Sequence, residues 1–157
     1  MEINDRLESY GIYRLARELF NDFWSDSEVV GKDYRGRELC KQQIRSLDSI
    51  CANIEEGYGR GFGKDVEQDL KVSRGEARES LGRYERLHRL LAGDIIAKRV
   101  ATLNHIIGGL TKTIVTMESR RSRGEKSSIA ERVSVAKPST SEVESRHASR
   151  ATRHASQ

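Results

Sequence analysis

Apolar residues recur at spacings of three and four along most of the first 117 residues, which is the period of an amphipathic helix. The first such stripe predicts a helix over about residues 11–25. Its members are Ile12, Leu15, Ala16, Leu19, Phe20 and Phe23. Residues 1–10 are predicted to be a flexible lead-in, and the polar residues 25–36, which contain two glycines, are predicted to be a linker.

The next two stripes predict a helical hairpin. The second helix is expected over about residues 36–56, and its apolar face consists of Cys40, Ile44, Leu47, Ile50, Cys51, Ile54 and Tyr58. Four glycines at positions 57, 59, 61 and 63 follow, and they are predicted to break the helix because glycine favours helix ends. A third helix is expected over about residues 65–91, and its stripe consists of Val66, Leu70, Ser73, Ala77, Leu81, Tyr84, either Leu87 or His88, and Leu91.

The fourth helix has the clearest period and is expected over about residues 95–120. Its seam alternates spacings of four and three, and it consists of Ile96, Val100, Leu103, Ile107, Leu110, Ile114 and Met117. A second apolar edge is formed by Ile95, Ile106 and Val115. One seam is enough for a lone bundle, so the extra edge favours burial of apolar surface between subunits.

The character of the chain changes after Met117. From Glu118 onward nine basic and five acidic residues give a net charge of +4, whereas the 19 basic and 19 acidic residues before it cancel. Residues 121–157 are rich in serine and arginine, and SRHAS at 145–149 recurs as TRHAS at 152–156. Such a composition predicts a disordered tail, which could touch RNA non-specifically.

These patterns together predict an all-α protein, an antiparallel up-down four-helix bundle over residues 11–117 with a disordered C-terminal tail. No apolar run approaches the roughly 18 residues that a membrane span needs, and the N-terminus MEINDRLESY is polar and acidic rather than signal-like. A cytoplasmic protein with no membrane partner is therefore the expectation.

Glycines at Gly57–Lys64 invite a comparison with phosphate-binding loops, but the spacing does not fit. A Walker A loop needs glycine five residues before its Gly-Lys pair and Ser or Thr after it, and this chain has Tyr58 and Asp65 there. No histidine has a metal-ligand partner at i+3 or i+4, and Cys40 and Cys51 lie about 16 Å apart along one predicted helix. No catalytic residue, metal ligand, cofactor or small-molecule substrate is predicted.

Asn53 and Glu56 flank the buried stripe of the second helix, where unpaired polar groups are costly. We expect them to bond across the hairpin to Arg74 or to backbone near Ser73, and so to fix the register of the two helices. If Glu56 is buried in this way, Glu56→Ala lowers the melting temperature by several degrees.

Two stretches carry a family resemblance that covers about residues 10–117. RSLDSICANIEEGYGR resembles the pattern R-x-x-x-S-I-x-x-N-I-A-E-G-x-G-R of the four-helix-bundle proteins encoded in intervening sequences of large-subunit ribosomal RNA genes. The matching residues are Arg45, Ser49, Ile50, Asn53, Ile54, Glu56, Gly57, Gly59 and Arg60. DLKVSRGEARES is similar to the family's F-L-x-I-A-R-G-S-L-x-E, and it matches at Leu70, Arg74, Gly75 and Glu79.

The resemblance implies an up-down bundle that assembles into a homopentamer and has no established enzymatic activity. Relatives of the family include accessory proteins of diversity-generating retroelements, which bind nucleic acid and a reverse transcriptase, so RNA or a reverse transcriptase is an implied partner. The chain departs from the family pattern at Cys51, where proline is frequent, at Glu55, where alanine is usual, and at Glu76, where serine is usual.

The leading hypothesis is thus a non-enzymatic, oligomeric scaffold for RNA or a ribonucleoprotein. The candidate nucleic-acid contacts are Arg60, Lys64, Arg83, Arg86 and Arg89, which could equally form a solvated helix surface. The alternative, favoured by the neutral charge of the first 117 residues, is a protein-interaction module without nucleic-acid contact.

Overall fold

The protein is all-α in a computed structural model that describes residues 6–61 and 63–136, with side chains described for all of these except 6, 127 and 129–136. The five helices of these residues are α1 (Arg6–Ser9), α2 (Gly11–Val30), α3 (Tyr34–Arg60), α4 (Lys64–Arg86) and α5 (Gly93–Ala136). One compact unit runs to Glu118 and a second begins at Ser119.

Helices α2 to α5 form the predicted antiparallel up-down bundle. In α2 and α3, Tyr13 bonds Glu55 and Cys40 contacts the carbonyl of Ser27, so the two helices run in opposite directions. In α3 and α4, Gln43 bonds the backbone of Ser80. Helix α5 returns beside both α2 and α4, as the residue pairs Tyr10–Thr113 and Arg74–Thr111 demonstrate.

The predicted stripes form the core or pack against it, except that Tyr58 of the second stripe is 39% exposed. The fully buried large side chains of the core come from all four long helices and include Leu19, Leu47, Ile50, Ile54, Tyr84, Leu103, Ile106, Leu110 and Ile114. Ile106 belonged to the second apolar edge of the fourth predicted helix, and it is buried inside this chain. Of that edge, Val115 remains largely exposed, at 53% of its surface. The edge therefore gives less support to subunit contacts than the sequence suggested.

The first helix is longer than predicted, because α2 continues through the expected linker to Val30. Asp26 and Val30 continue the buried stripe, three and seven residues after Phe23. A buried aspartate interrupts the apolar pattern, which is why the sequence suggested an earlier end. Gly36 then allows α3 to start close to α2, because a Cβ at this position would overlap the carbonyl oxygen of Val30.

The hairpin turn is shorter than predicted. Helix α3 continues through Gly57 and Gly59 to Arg60, and the turn is made at Gly61 and Gly63, which have positive φ angles of 89° and 126°. Gly57 is buried instead, and a Cβ there would lie 3.5 Å from Val66 Cγ1 and from Asp69 Cβ. Its role is close packing against α4, while Gly61 and Gly63 supply the backbone conformation that other residues avoid.

Both ends of the bundle differ from the prediction. Within the expected flexible lead-in, Arg6–Ser9 form α1 and the Tyr10 ring packs 5.7 Å from the ring of Tyr58. Helix α4 ends at Arg86, earlier than expected, and Leu87 and Leu91 are still buried in the following turn. Helix α5 passes the predicted tail boundary at residue 121 and ends at Ala136, two residues before Pro138, the chain's single proline. Residues 1–5 and 137–157 of the predicted lead-in and tail lie outside the described residues.

Candidate functional site

The family-motif residues of α3 lie mainly on its solvent-facing side. Arg45, Ser49, Asn53, Glu56 and Arg60 follow one another at spacings of four, four, three and four, so a single side of the helix carries all five. Arg45, Glu56 and Arg60 are exposed, and Ser49 and Asn53 are half-buried. These residues are therefore not part of the core that holds the bundle together.

The predicted bonds from Asn53 and Glu56 to the third helix are wrong. Asn53 Nδ2 donates to the carbonyl oxygen of Ser49 at 2.7 Å and to Ser49 Oγ at 3.1 Å, within α3. Glu56 pairs with Arg60 on the same helix, and its side chain is 53% exposed. Arg74 Nη1 donates to Thr111 Oγ1 of α5 at 3.3 Å. Asn53 and Glu56 therefore bond within α3, and Arg74 bonds α5 instead of α3.

Other polar side chains fix the register between α3 and α4. Ser73 Oγ donates to the Ile50 carbonyl oxygen at 2.9 Å, and Gln43 Nε2 donates to the Ser80 carbonyl oxygen at 3.3 Å. Ser73, Gln43 and Ser80 are all fully buried, so sliding the helices would leave polar groups without partners. The sequence placed Ser73 on the stripe of the third helix and gave no signal for Gln43.

Two arginines join the outward sides of the hairpin helices. Arg83 donates to Ser46 Oγ of α3 at 2.6 Å and to Glu79 Oε2 of its own helix at 2.8 Å. Arg60 pairs with Glu56 and lies 3.7 Å, Nε to Oδ2, from Asp69 of α4. Arg83 therefore links Glu79 to α3, and Arg60 places the end of α3 beside Asp69 of α4.

We call this surface the hairpin face, and define it as Arg45, Ser49, Asn53, Glu56, Val72, Gly75 and Glu79. Val72, Gly75 and Glu79 share one side of α4 at spacings of three and four. Val72 keeps 38% of its surface exposed. Motif residues from both blocks thus lie on the outer sides of two neighbouring helices.

Gly75 has no packing role against any described residue of its own chain. It lies in the interior of α4, is exposed, and a Cβ there would meet no atom within 4 Å. Glycine at such a position costs about 0.5–1 kcal/mol relative to alanine. Gly59 of α3 is likewise exposed with open space around it. The contacts of the described residues do not explain why glycine occupies these motif positions.

The structure does not bring the candidate nucleic-acid contacts together. Arg60 and Lys64 lie at the α3–α4 turn, whereas Arg86 ends α4, about 33 Å along the helix axis, and Arg89 lies in the turn that follows. Arg83 is committed to Ser46 and Glu79, with 11% of its side chain exposed. Arg86 and Arg89 remain exposed and form no ion pair with another described residue.

A buried charge network at that far end was not predicted from the sequence. Arg99 donates through Nε to Asp26 Oδ2 at 2.9 Å and also pairs with Asp22, while Tyr84 Oη donates to Asp26 Oδ2 at 2.9 Å. Burial and the adjacent Asp26 carboxylate raise the pKa of Tyr84 well above its ordinary value. Three helices meet here, so the network stabilises the bundle, and its groups bond one another rather than face a cavity.

The second cysteine lies in surroundings that suppress its reactivity. Burial, with Glu55 and Asp48 nearby, raises the pKa of Cys51 to about 12. Burial also raises the pKa of Tyr13, again to about 12, and its hydroxyl donates to Glu55 Oε1 at 2.7 Å. A thiol that stays protonated at neutral pH is a poor nucleophile. Both cysteines are free.

The described histidines lie at the surface. His88 and His105 are exposed, and His105 borders a shallow, open groove beside Ile12 and Leu15. Among the side chains that the structure describes, no three His, Cys, Asp or Glu residues are grouped so as to hold a metal ion. His147 and His154 lie outside the described residues. None of the helices in the described part of the chain is long and apolar enough to span a bilayer.

Comparison with known proteins agrees with the resemblance carried by the motif residues. The family model described as 23S rRNA-intervening sequence protein matches residues 8–106, which include all of α2, α3 and α4 and the first part of α5. No curated protein and no solved structure matches the chain.

Proposed function

We propose, from the premise that the chain belongs to the 23S rRNA-intervening sequence protein family, that it is a non-enzymatic scaffold. It assembles with copies of itself and associates with RNA or a ribonucleoprotein. The observation that carries the proposal is the hairpin face, where motif residues of two helices lie exposed instead of supporting the core.

The hairpin face is suited to contact with another helix. Val72 offers an apolar side chain, and Gly75 lets a neighbouring backbone approach closely. Asn53 and Ser49, which bond each other within α3, add polar groups to the face. An exposed helical glycine that weakens its own helix is understandable if a partner packs against it. We assign the partner on this face to a second copy of the chain, in the pentameric assembly that the resemblance implies.

Light scattering on the full chain tests self-association, with Gly75→Arg and Gly108→Arg as a matched pair. Both glycines are exposed and helical, and a Cβ at either position would meet no atom within 4 Å, so either arginine is compatible with the fold. The mass of a single chain is 17.8 kDa. We expect the unmodified chain and Gly108→Arg to have measured masses above this value, and Gly75→Arg to have the mass of a single chain. A monomeric unmodified chain, or a Gly75→Arg variant of unchanged mass, would contradict the assembly.

RNA association needs a separate measurement. Titrating a labelled RNA with the full chain at low salt should give binding at micromolar protein, which weakens as salt rises because phosphate contacts release counterions. Absence of binding under these conditions would count against the RNA part of the proposal.

The neutral charge of the first 117 residues favours a second candidate, a protein-interaction module without nucleic-acid contact. A pull-down separates the two. A partner retained after nuclease treatment supports the interaction module, and a partner lost with the RNA supports the ribonucleoprotein scaffold.

A further inference from the structure

The part of α5 that directly follows Glu118 lacks the apolar stripe that the other long helices have. Residues 119–128 contain no apolar side chain, and those described, Ser119–Lys126 and Ser128, are exposed except for the half-buried Arg121. A helix that is polar all round gains nothing from packing on an apolar core. We call residues 119–128 the basic arm.

Positive charge is concentrated in the arm. Residues 119–126 hold four basic residues and one acidic residue, which gives a net charge of +3, whereas residues 1–117 sum to zero. Arg120 and Arg123 lie three residues apart, about one turn, and Arg123 Nε bonds only a backbone carbonyl oxygen, that of Ser119, among the described residues. The arm therefore presents cations that its single acidic neighbour, Glu125, does not neutralise.

Continuity with the bundle makes the arm's helix less costly to form. An isolated helix of this length is marginal because its first turn must be nucleated. In this chain, residues 93–118 already form the helix on the bundle, so the arm only extends it. Cations on a helix that is already formed lose less conformational entropy on binding than cations on an unfolded segment.

We propose that the basic arm is the part of this protein that binds RNA, through sequence-independent contacts of Arg120, Arg121, Arg123 and Lys126 with backbone phosphates. The proposal rests on the proposed RNA association and assigns it to a segment outside the bundle. Charge complementarity favours RNA over an anionic membrane, because a membrane-surface helix also needs an apolar face and residues 119–128 have none.

Two variants with equal charge change test the assignment. The arm variant carries Arg120→Gln, Arg121→Gln, Arg123→Gln and Lys126→Gln. The bundle variant carries Arg78→Gln, Arg86→Gln, Arg89→Gln and Lys98→Gln, four exposed residues without an ion pair to any described residue. Glutamine is a good helix former, so both variants should keep the helix content and melting behaviour of the unmodified chain.

The readout is fluorescence anisotropy of a labelled RNA hairpin across a salt series. Four phosphate contacts contribute about 3 to the slope of log K against log salt, so the arm variant should lose that part of the slope and bind about tenfold or more weakly at low salt. The bundle variant should bind nearly as the unmodified chain does.

Each other outcome overturns the assignment and leaves the proposed function in a distinct position. Equal loss in both variants would show that RNA contact is not confined to the arm, and loss only in the bundle variant would place it outside the arm. Either result would keep an RNA-associated function. No binding by the unmodified chain would refute both. Binding to phosphatidylserine vesicles without binding to the hairpin would replace RNA with a membrane surface.

Discussion

Gly108 and Gly109 are neighbours on α5, and we expect alanine to change stability in opposite directions at the two positions. Both residues lie within the same helix, so each substitution gains about 0.5–1 kcal/mol from the reduced freedom of the unfolded chain and the better helix propensity. At Gly108 a Cβ meets no atom within 4 Å, so that gain should appear in full.

At Gly109, α5 lies close to Ile12 of α2. A Cβ there would lie 2.5 Å from Ile12 Cγ1 and closer still to Ile12 Cδ1. Ile12 is β-branched, so its χ1 angle adjusts poorly. Overpacking of this kind costs about 1–3 kcal/mol, which exceeds the propensity gain. Gly109→Ala should therefore be about 1–2 kcal/mol less stable than the unmodified chain.

Urea unfolding followed by circular dichroism at 222 nm measures both variants under one condition. With an m-value of about 2 kcal/mol per M, the midpoints of the two alanine variants should differ by about 1 M. Adding Ile12→Ala removes the overlapping atoms, so the double variant should be more stable than the two single effects predict. Equal stabilisation by both alanines, or additive effects with Ile12→Ala, would refute the close approach of α2 and α5.

Three further predictions use the other polar contacts. Glu56→Ala should change stability by less than about 0.5 kcal/mol in urea unfolding, because its ion pair is exposed, and a larger loss would show that Glu56 has a buried partner. Asp26→Asn should lower the free energy of unfolding by about 3–5 kcal/mol, because it leaves Arg99 buried without its main partner. Asp22 is 46% exposed, so Asp22→Asn should lower it by less than about 1 kcal/mol. Similar losses in the two variants would contradict the network. The pKa of Tyr13 is raised to about 12, so its contribution to folding stability is complete below pH 10 and is lost as pH rises through 12. Over this pH range the urea midpoint of Tyr13→Phe should therefore fall less than that of the unmodified chain. Parallel curves of midpoint against pH would contradict the raised pKa.

The hairpin face changes how the motif is understood. Four motif residues are buried, namely Ile50, Ile54, Gly57 and Leu70, and the half-buried Arg74 bonds α5. The other motif residues are exposed or half-buried on the outer sides of α3 and α4. Polar and glycine motif residues on the surface are better explained by contact with a partner than by stability of the single chain. This is why the matched glycine variants are the most informative test of assembly.

Several features of the fold followed from the sequence alone. The spacing of apolar residues indicated four long helices, and Leu19, Ile50, Leu70 and Leu110 lie in the core as their positions on the stripes predicted. The motif stretches indicated the family that the comparison confirms. Both signals are local, because an amphipathic period and a linear motif can be recognised within a single helix.

Helix ends were harder to place because they depend on neighbours in space. Asp26 looked like part of a linker until Tyr84 and Arg99, 58 and 73 residues away, supplied its hydrogen bonds. Gly57 looked like a helix breaker until Val66 and Asp69 packed against it.

The sequence by itself determined which side of each helix is buried and to which family the chain belongs. The tertiary structure decided which polar residues cross between helices. Ser73 and Gln43 fix the hairpin register, while Asn53 and Glu56, which looked better suited from the sequence, bond within α3. The physical reason is that a helix period gives the direction of a side chain only to within a broad sector, whereas a hydrogen bond needs a partner within about 3 Å, and that partner comes from a distant part of the chain.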